Sequence, residues 1–114
     1  MNAPVVLVSG AAGGIGSAVV RRFAAAGWRV VATDRDAAGL ERLQDGAVVA
    51  RISGDVRVVA DCRAVVEQAV AAAGRLDALV NAAGVWREGP VEDCSEADFD
   101  LVVDVNLKGT YFLC

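Results

Sequence analysis

Apolar positions in this chain follow two spacings in turn, short unbroken runs and longer stretches of helical period. The run PVVLVS, Pro4 to Ser9, is apolar without interruption, as expected of a strand covered on both faces. From Gly14 the apolar positions Ile15, Ala18, Val19, Phe23 and Ala26 recur at three- and four-residue steps, which predicts a helix with one buried face. Gly27 can take the left-handed conformation that closes such a helix. WRVVATD, Trp28 to Asp34, predicts a second strand, AAGLERLQ a short helix ended by Gly46, and AVVARIS, Ala47 to Ser53, a third strand. Cys62, Val65, Val66, Ala69, Val70 and Ala73 give the cleanest helical stripe, closed by Gly74. LDALVN, Leu76 to Asn81, predicts a fourth strand, and a loop runs on to about Cys94. Ser95 then reads as an N-cap with Asp98 completing a capping box, and Phe99, Val102 and Val103 as the buried face of the helix it opens.

Strand and helix in steady alternation imply parallel strands joined by right-handed crossovers. The fold class is therefore α/β, a doubly wound parallel sheet of about four strands with flanking helices. Ligands of such sheets bind outside the carboxyl ends of the strands, near the point where strand order reverses. Each motif discussed below falls just after a predicted strand.

Composition narrows the class. The chain has 114 residues, read as a single domain over 1–114, with 55% apolar and 23% charged residues. No apolar run approaches a membrane span, and the N-terminal MNAPVVLVSG has no basic leader region. The net charge of −4, with scattered acids, argues against a nucleic-acid surface. Cys62, Cys94 and Cys114 have no zinc spacing and there is no histidine, so no metal site is expected. A cytoplasmic, soluble protein is the expectation.

The stretch VVLVSGAAGGIGSAVVRRF puts four glycines into seven residues between a strand and a helix. A Walker-type phosphate loop fails, because the one lysine is Lys108. The G-x-G-x-x-G fingerprint also fails. What remains is Gly10-x-x-x-Gly14-x-Gly16 after Ser9. Gly10 permits a tight exit from the strand, Gly14 lets backbone approach a pyrophosphate at the helix N-terminus, and Gly16 allows the helix to lie close to the sheet. A plain turn would explain one glycine pair, but it accounts poorly for this spacing in this setting.

SGAAGGIG resembles the T-G-x-x-x-G-I-G loop of the short-chain dehydrogenases/reductases, with Ser9 for threonine. Three more matches follow in order: SGDV after the third strand, LDALVNAAG after the fourth (Ala82 replacing the second asparagine of N-N-A-G), and VDVNLKGTYF. The resemblance covers the chain from Val5 onward and implies a Rossmann-type fold. It also implies an oxidoreductase moving hydride between a nicotinamide cofactor and a small alcohol or ketone, in a parent protein that is a homo-oligomer.

Asp34 closes the second strand, where a carboxylate can accept from both hydroxyls of an adenosine ribose and repel a 2′-phosphate. Arg35 beside it is the one hint of NADP, since the loop residues Ala11, Ala12 and Gly13 carry no basic group. NAD is the expected cofactor. Resemblance places Asp55 and Val56 at the adenine, Asn81, Ala83 and Gly84 at the nicotinamide-side ribose, and Asn106 in a proton relay through water. Taken alone, Asp34 and Asn81 read equally as turn residues and Asn106 as a helix-surface asparagine. The family pattern D-V-x-D is broken by Val58, which leaves the next helix less well capped.

The family's catalytic serine, tyrosine and lysine find no match. Tyr111 is the only tyrosine and lies in the segment after Asn106, and Lys108 precedes it. The chain reads as the cofactor-binding half of a longer enzyme, inactive alone, and marginal or self-associating because its fourth strand would be an unpaired edge. A non-catalytic NAD(H)-binding module and a non-functional remnant are the alternatives.

Overall fold

The structure, a computed structural model, describes residues 3–114; Met1 and Asn2, the start of the stretch read above as lacking a leader, lie outside the described residues. Strand β1 (Val5–Ser9) leads through helix α1 (Gly14–Ala25) to β2 (Arg29–Asp34), then through α2 (Ala37–Glu41) to β3 (Val48–Ser53). Helix α3 (Val59–Ala73) returns the chain to β4 (Ala78–Asn81). A single 3-10 turn at Val91–Asp93 precedes α4 (Glu96–Val103), a π-helical segment (Asp104–Gly109) and α5 (Thr110–Leu113). The strands are parallel and lie in the order β3-β2-β1-β4. The parallel α/β sheet expected from the alternation is therefore present.

Alternation along the strands divides the core in two. Val5, Leu7, Val31 and Ile52 face Cys62, Val65, Ala69 and Ala73 of α3, with Leu113 of α5. Val6, Val8, Val30 and Ala32 face Val20 of α1 and Leu40 of α2. Val5, Val6, Leu7 and Val8 are all 0% exposed. Each such side chain contributes about 1.5–3 kcal/mol by leaving water.

The helix stops bear out two of the three glycine expectations. Gly27 has φ 88°, its N–H donates to Ala24 O, and Trp28 N–H donates to Phe23 O, while the Phe23 and Trp28 rings meet edge to face at 5.0 Å. That is a Schellman closure with its hydrophobic contact. Gly74 has φ 81° and donates to Val70 O at 2.8 Å. Gly46 does not end α2, which stops at Glu41. Asp45 instead shapes the approach to β3, its carboxylate accepting from Ala47 N–H at 2.9 Å. As expected, Val58 caps α3 with no side-chain hydrogen bond.

The amino ends of the strands are pinned by charge. Asp77 accepts from Val5 N–H at 2.8 Å and from Arg75, whose guanidinium holds the Asp77 carboxyl below its ordinary range. Arg29 reaches Ala73 O at 3.1 Å.

The last third of the chain is looser. Ala78, Leu79 and Val80 of β4 are half-buried, and α4 has no buried residue. Ser95 does cap α4, accepting from Asp98 N–H at 3.1 Å, but the Asp98 carboxylate faces Arg87 at 3.6 Å. Phe99, expected on the buried face, is 59% exposed. The reason is that α4 runs without a break into the π-helical segment and makes no substantial contact with any strand of the sheet. No described helix is long and apolar enough to cross a membrane.

Candidate functional site

Connections run from β1 outward to β3 and then cross back to β4 on the other side of β1. The chain leaving β1 passes to α1 on one face of the sheet and the chain leaving β4 reaches α5 on the other, which opens a crevice at the carboxyl ends of the strands above the base of the two loops.

The glycine loop is fixed by its backbone. Gly10 has φ 66°, and a Cβ there would lie 2.6 Å from Ala83 N and Cα. Below it, the Ser9 hydroxyl (1% exposed) accepts from Ala83 N–H at 3.3 Å, so the loops after β1 and β4 are joined. A Cβ on Gly16 would fall 1.9 Å from Gly10 O. Gly16 thus lets α1 start against the loop, in keeping with its spacing. By contrast, a Cβ on Gly14 meets no atom within 4 Å, so packing within the chain does not demand glycine there. Helix α1 has no side-chain cap and no acid in its first turn. Neither its cap nor its first turn therefore sets an anion at its positive end, which suits that end to a phosphate group.

Asp34 stands at the end of β2. Its Oδ2 accepts from Ala12 N–H at 3.0 Å and its Oδ1 from Asp36 N–H at 2.9 Å. Each oxygen keeps a lone pair for a further donor. Asp55 follows β3 and is gripped by Arg57 through Nε at 3.0 Å and Nη2 at 2.6 Å. That side-chain hydrogen bond holds the Asp55 carboxyl below its usual value, against the opposing effect of burial. Val56 packs under Gly109, whose Cβ would meet Val56 Cγ2 at 2.7 Å.

Asn106 lies in the π-helical segment, a geometry frequent at functional sites. Its Oδ1 accepts from Val85 N–H and its Nδ2 donates to Val85 O, both at 2.9 Å. The side chain thus ties the loop after β4 to the helix. One N–H of its Nδ2 and one lone pair of its Oδ1 are left over from these two bonds, and its main-chain carbonyl accepts from Thr110 Oγ1 at 3.2 Å.

Of the residues singled out in the sequence, Gly10, Asp34, Arg35, Asp55, Val56, Ala83 and Gly84 line one cleft. Gly14, Ile15 and Gly16 form the start of α1 beside it, with Ile15 77% exposed. Ser9 sits beneath the cleft and positions Ala83 without lining it. The Asn81 amide lies 3.9 Å from Cys114 Sγ, outside the lining. Gly13, Thr33, Gly54, Ala82, Val85 and Val105 also line the cleft, and the sequence motifs do not mark them as ligand-binding. Each of them directly neighbours a marked residue, so the signal lies one position away. Tyr111 is 71% exposed and outside this lining.

The sequence profile of the short chain dehydrogenase family matches residues 4–114. Cis-2,3-dihydrobiphenyl-2,3-diol dehydrogenase of Pseudomonas sp. strain KKS102 is 43% identical, over 96% of this chain and 42% of that protein. The crystal structure of 3-ketoacyl-(acyl-carrier-protein) reductase from Brucella melitensis complexed with NADH superposes with a TM-score of 0.89 at 36% identity, covering 96% of this chain and 46% of that one. A blue fluorescent protein from a metagenomic library, in complex with NADPH, gives a TM-score of 0.86 at 32% identity, covering 98% of this chain and 49% of that one. The chain thus spans about half the length of the relatives it matches, or somewhat less. On its four ordered motifs, its parallel sheet and this profile match, the chain belongs to the short-chain dehydrogenase family.

Proposed function

We propose that the chain forms the cofactor-binding part of a nicotinamide-dependent oxidoreductase acting on a small alcohol or ketone, with NAD as its cofactor. The bound dinucleotide supplies the hydride acceptor or donor. In this reading the start of α1 (Gly14, Ile15, Gly16) and Gly10 receive the pyrophosphate, Asp34 the adenosine ribose, and Asp55 and Val56 the adenine. Ala83 and Gly84 border the nicotinamide side, and Asn106 holds the loop that carries them. Relatives described as a diol dehydrogenase and an NADH-bound reductase support the reaction class.

The observation that carries the choice of NAD is Asp34, fixed by two backbone N–H groups at the edge of the cleft. A 2′-phosphate at about 4 Å from that carboxylate would be repelled by about 4 kcal/mol at an effective dielectric of about 20, before screening by salt. Arg35 lines the same cleft and offsets part of this. Titration of the chain with NADH and NADPH, followed by nicotinamide fluorescence, is expected to favour NADH by at least about tenfold, about 1.4 kcal/mol. Equal or tighter binding of NADPH would overturn the preference. Binding without alcohol oxidation is expected of these 114 residues alone, because no tyrosine or lysine among the described residues lines the cleft.

A further inference from the structure

We propose that Asp34 is a positioning residue for the glycine loop as well as a ribose acceptor, so that nucleotide choice and phosphate binding are coupled through one carboxylate. The ligand half of this proposal rests on the reading above; the clamp itself does not. Within the loop, Gly13 N–H turns back to Gly10 O at 3.1 Å, and Ala11 N–H reaches Thr33 O at 3.2 Å. Ala12 N–H, between them, is held by the Asp34 carboxylate at 3.0 Å. It is a charge-assisted bond, about twice as strong as a neutral one. The other Asp34 oxygen accepts from Asp36 N–H at 2.9 Å, and Asp34 O accepts from Gly54 N–H at 3.1 Å. Thus the loops after β1, β2 and β3 all meet at this residue.

The other side of the loop is walled by α2. A Cβ on Gly39 would lie 2.7 Å from Ala12 Cβ, so α2 touches the loop at the residue that Asp34 holds. Turning the carboxylate aside to make room for a 2′-phosphate would break its bonds to the Ala12 and Asp36 N–H groups. Removing its charge to admit that phosphate would also release Ala12, and with it the backbone that faces the pyrophosphate. An Asp34 substitution is then expected to weaken the hold on the pyrophosphate of either dinucleotide, so that NADPH gains less than the lost 2′-phosphate repulsion alone would return.

Two measurements on the 114-residue chain test this. The first is amide exchange of Ala12 in the unliganded protein. The amides of Val6, Leu7 and Val8 serve as the folding control, because β1 lies inside the sheet with a strand on each side. Asp34→Ser is expected to speed Ala12 exchange at least about tenfold, the loss of one charge-assisted bond, while these three stay protected. If the serine variant loses the β1 protection as well, Asp34→Asn decides. It keeps the volume but offers one carbonyl oxygen to two N–H donors, and a several-fold rise at Ala12 is expected. Unchanged Ala12 exchange, or a rise no larger than that of β1 in both variants, overturns the clamp.

The second measurement is calorimetric titration with ADP and with 2′,3′-dideoxy-ADP, which has the pyrophosphate but no ribose hydroxyls. Asp34→Ser is expected to lower affinity for both ligands, by at least about fivefold for the dideoxy compound. A loss confined to ADP overturns the coupling and leaves Asp34 a ribose reader alone. If the unsubstituted chain binds neither ligand, the dinucleotide reading falls and takes the ligand half of this proposal with it, while the exchange result still decides the clamp.

Discussion

β1 and β4 are neighbours in one sheet and have similar apolar composition, yet they have different fates. All five residues of β1 are buried, whereas β4 is half-buried and its last residue exposed. The difference is position: β1 pairs on both sides, with β2 and β4, and β4 pairs with β1 alone among the described residues. The helices repeat the contrast. α3 buries Cys62, Val65, Ala69 and Ala73 against the sheet, while α4 buries nothing. Apolar content states what a segment can bury; strand order decides whether it does.

The contrast is sharpened most by paired truncations. Leu7→Ala, at a fully buried site of β1, is expected to cost about 2–5 kcal/mol in urea unfolding. Phe99→Ala, on α4, is expected to stay within about 0.5 kcal/mol despite removing a larger side chain. Equal losses would erase the distinction between the two regions.

A smaller effect is expected where the second region is tied down. Asn106→Asp keeps an acceptor for Val85 N–H but has no donor for Val85 O, so one of two bonds is lost and a carboxylate is set against a carbonyl. A loss of about 1 kcal/mol in denaturant unfolding is expected, since the site is exposed to water. No change would mean that the tie is not holding the loop.

The smallest effect concerns acid. In the folded protein Asp55 titrates below the ordinary aspartate value, chiefly because of its hydrogen bond to Arg57. Its stabilisation is thus complete above about pH 4, near the unfolded pKa, and fades as pH falls through the lower folded value. Asp55→Asn should therefore flatten the acid limb of a stability profile below about pH 4 and slightly lower stability at about pH 6. An unaltered acid limb would show the pair to be energetically idle, as many exposed pairs are.

Much of this fold is readable in the sequence because periodicity and glycine chemistry are local. The strands, α1 and α3 follow from runs and stripes that a two-sided sheet demands, and Gly27 and Gly74 end helices as their backbone freedom allows. Gly46 misleads because Asp45 beside it supplies the turn through its side chain. Phe99 misleads because burial is a property of the assembled sheet and not of the helix period. At the site, the glycine positions and Asp34 are legible by type and spacing. The bonds of Asp34 to Ala12, Ser9 to Ala83 and Asn106 to Val85 are not. They join residues far apart in sequence, and no local pattern encodes them.

Gly16 has a consequence for inheritance. Its hypothetical Cβ sits 1.9 Å from Gly10 O, and every other amino acid brings a Cβ to that place. Size, charge and polarity beyond the Cβ are irrelevant to that first collision. In a saturation library the row for Gly16 would be uniformly dark, with alanine no kinder than tryptophan, whereas the row for Gly14, with open space before it, would be graded by what occupies that space. Selection at Gly16 therefore has no stepping stones: any missense change of its codon meets the same wall.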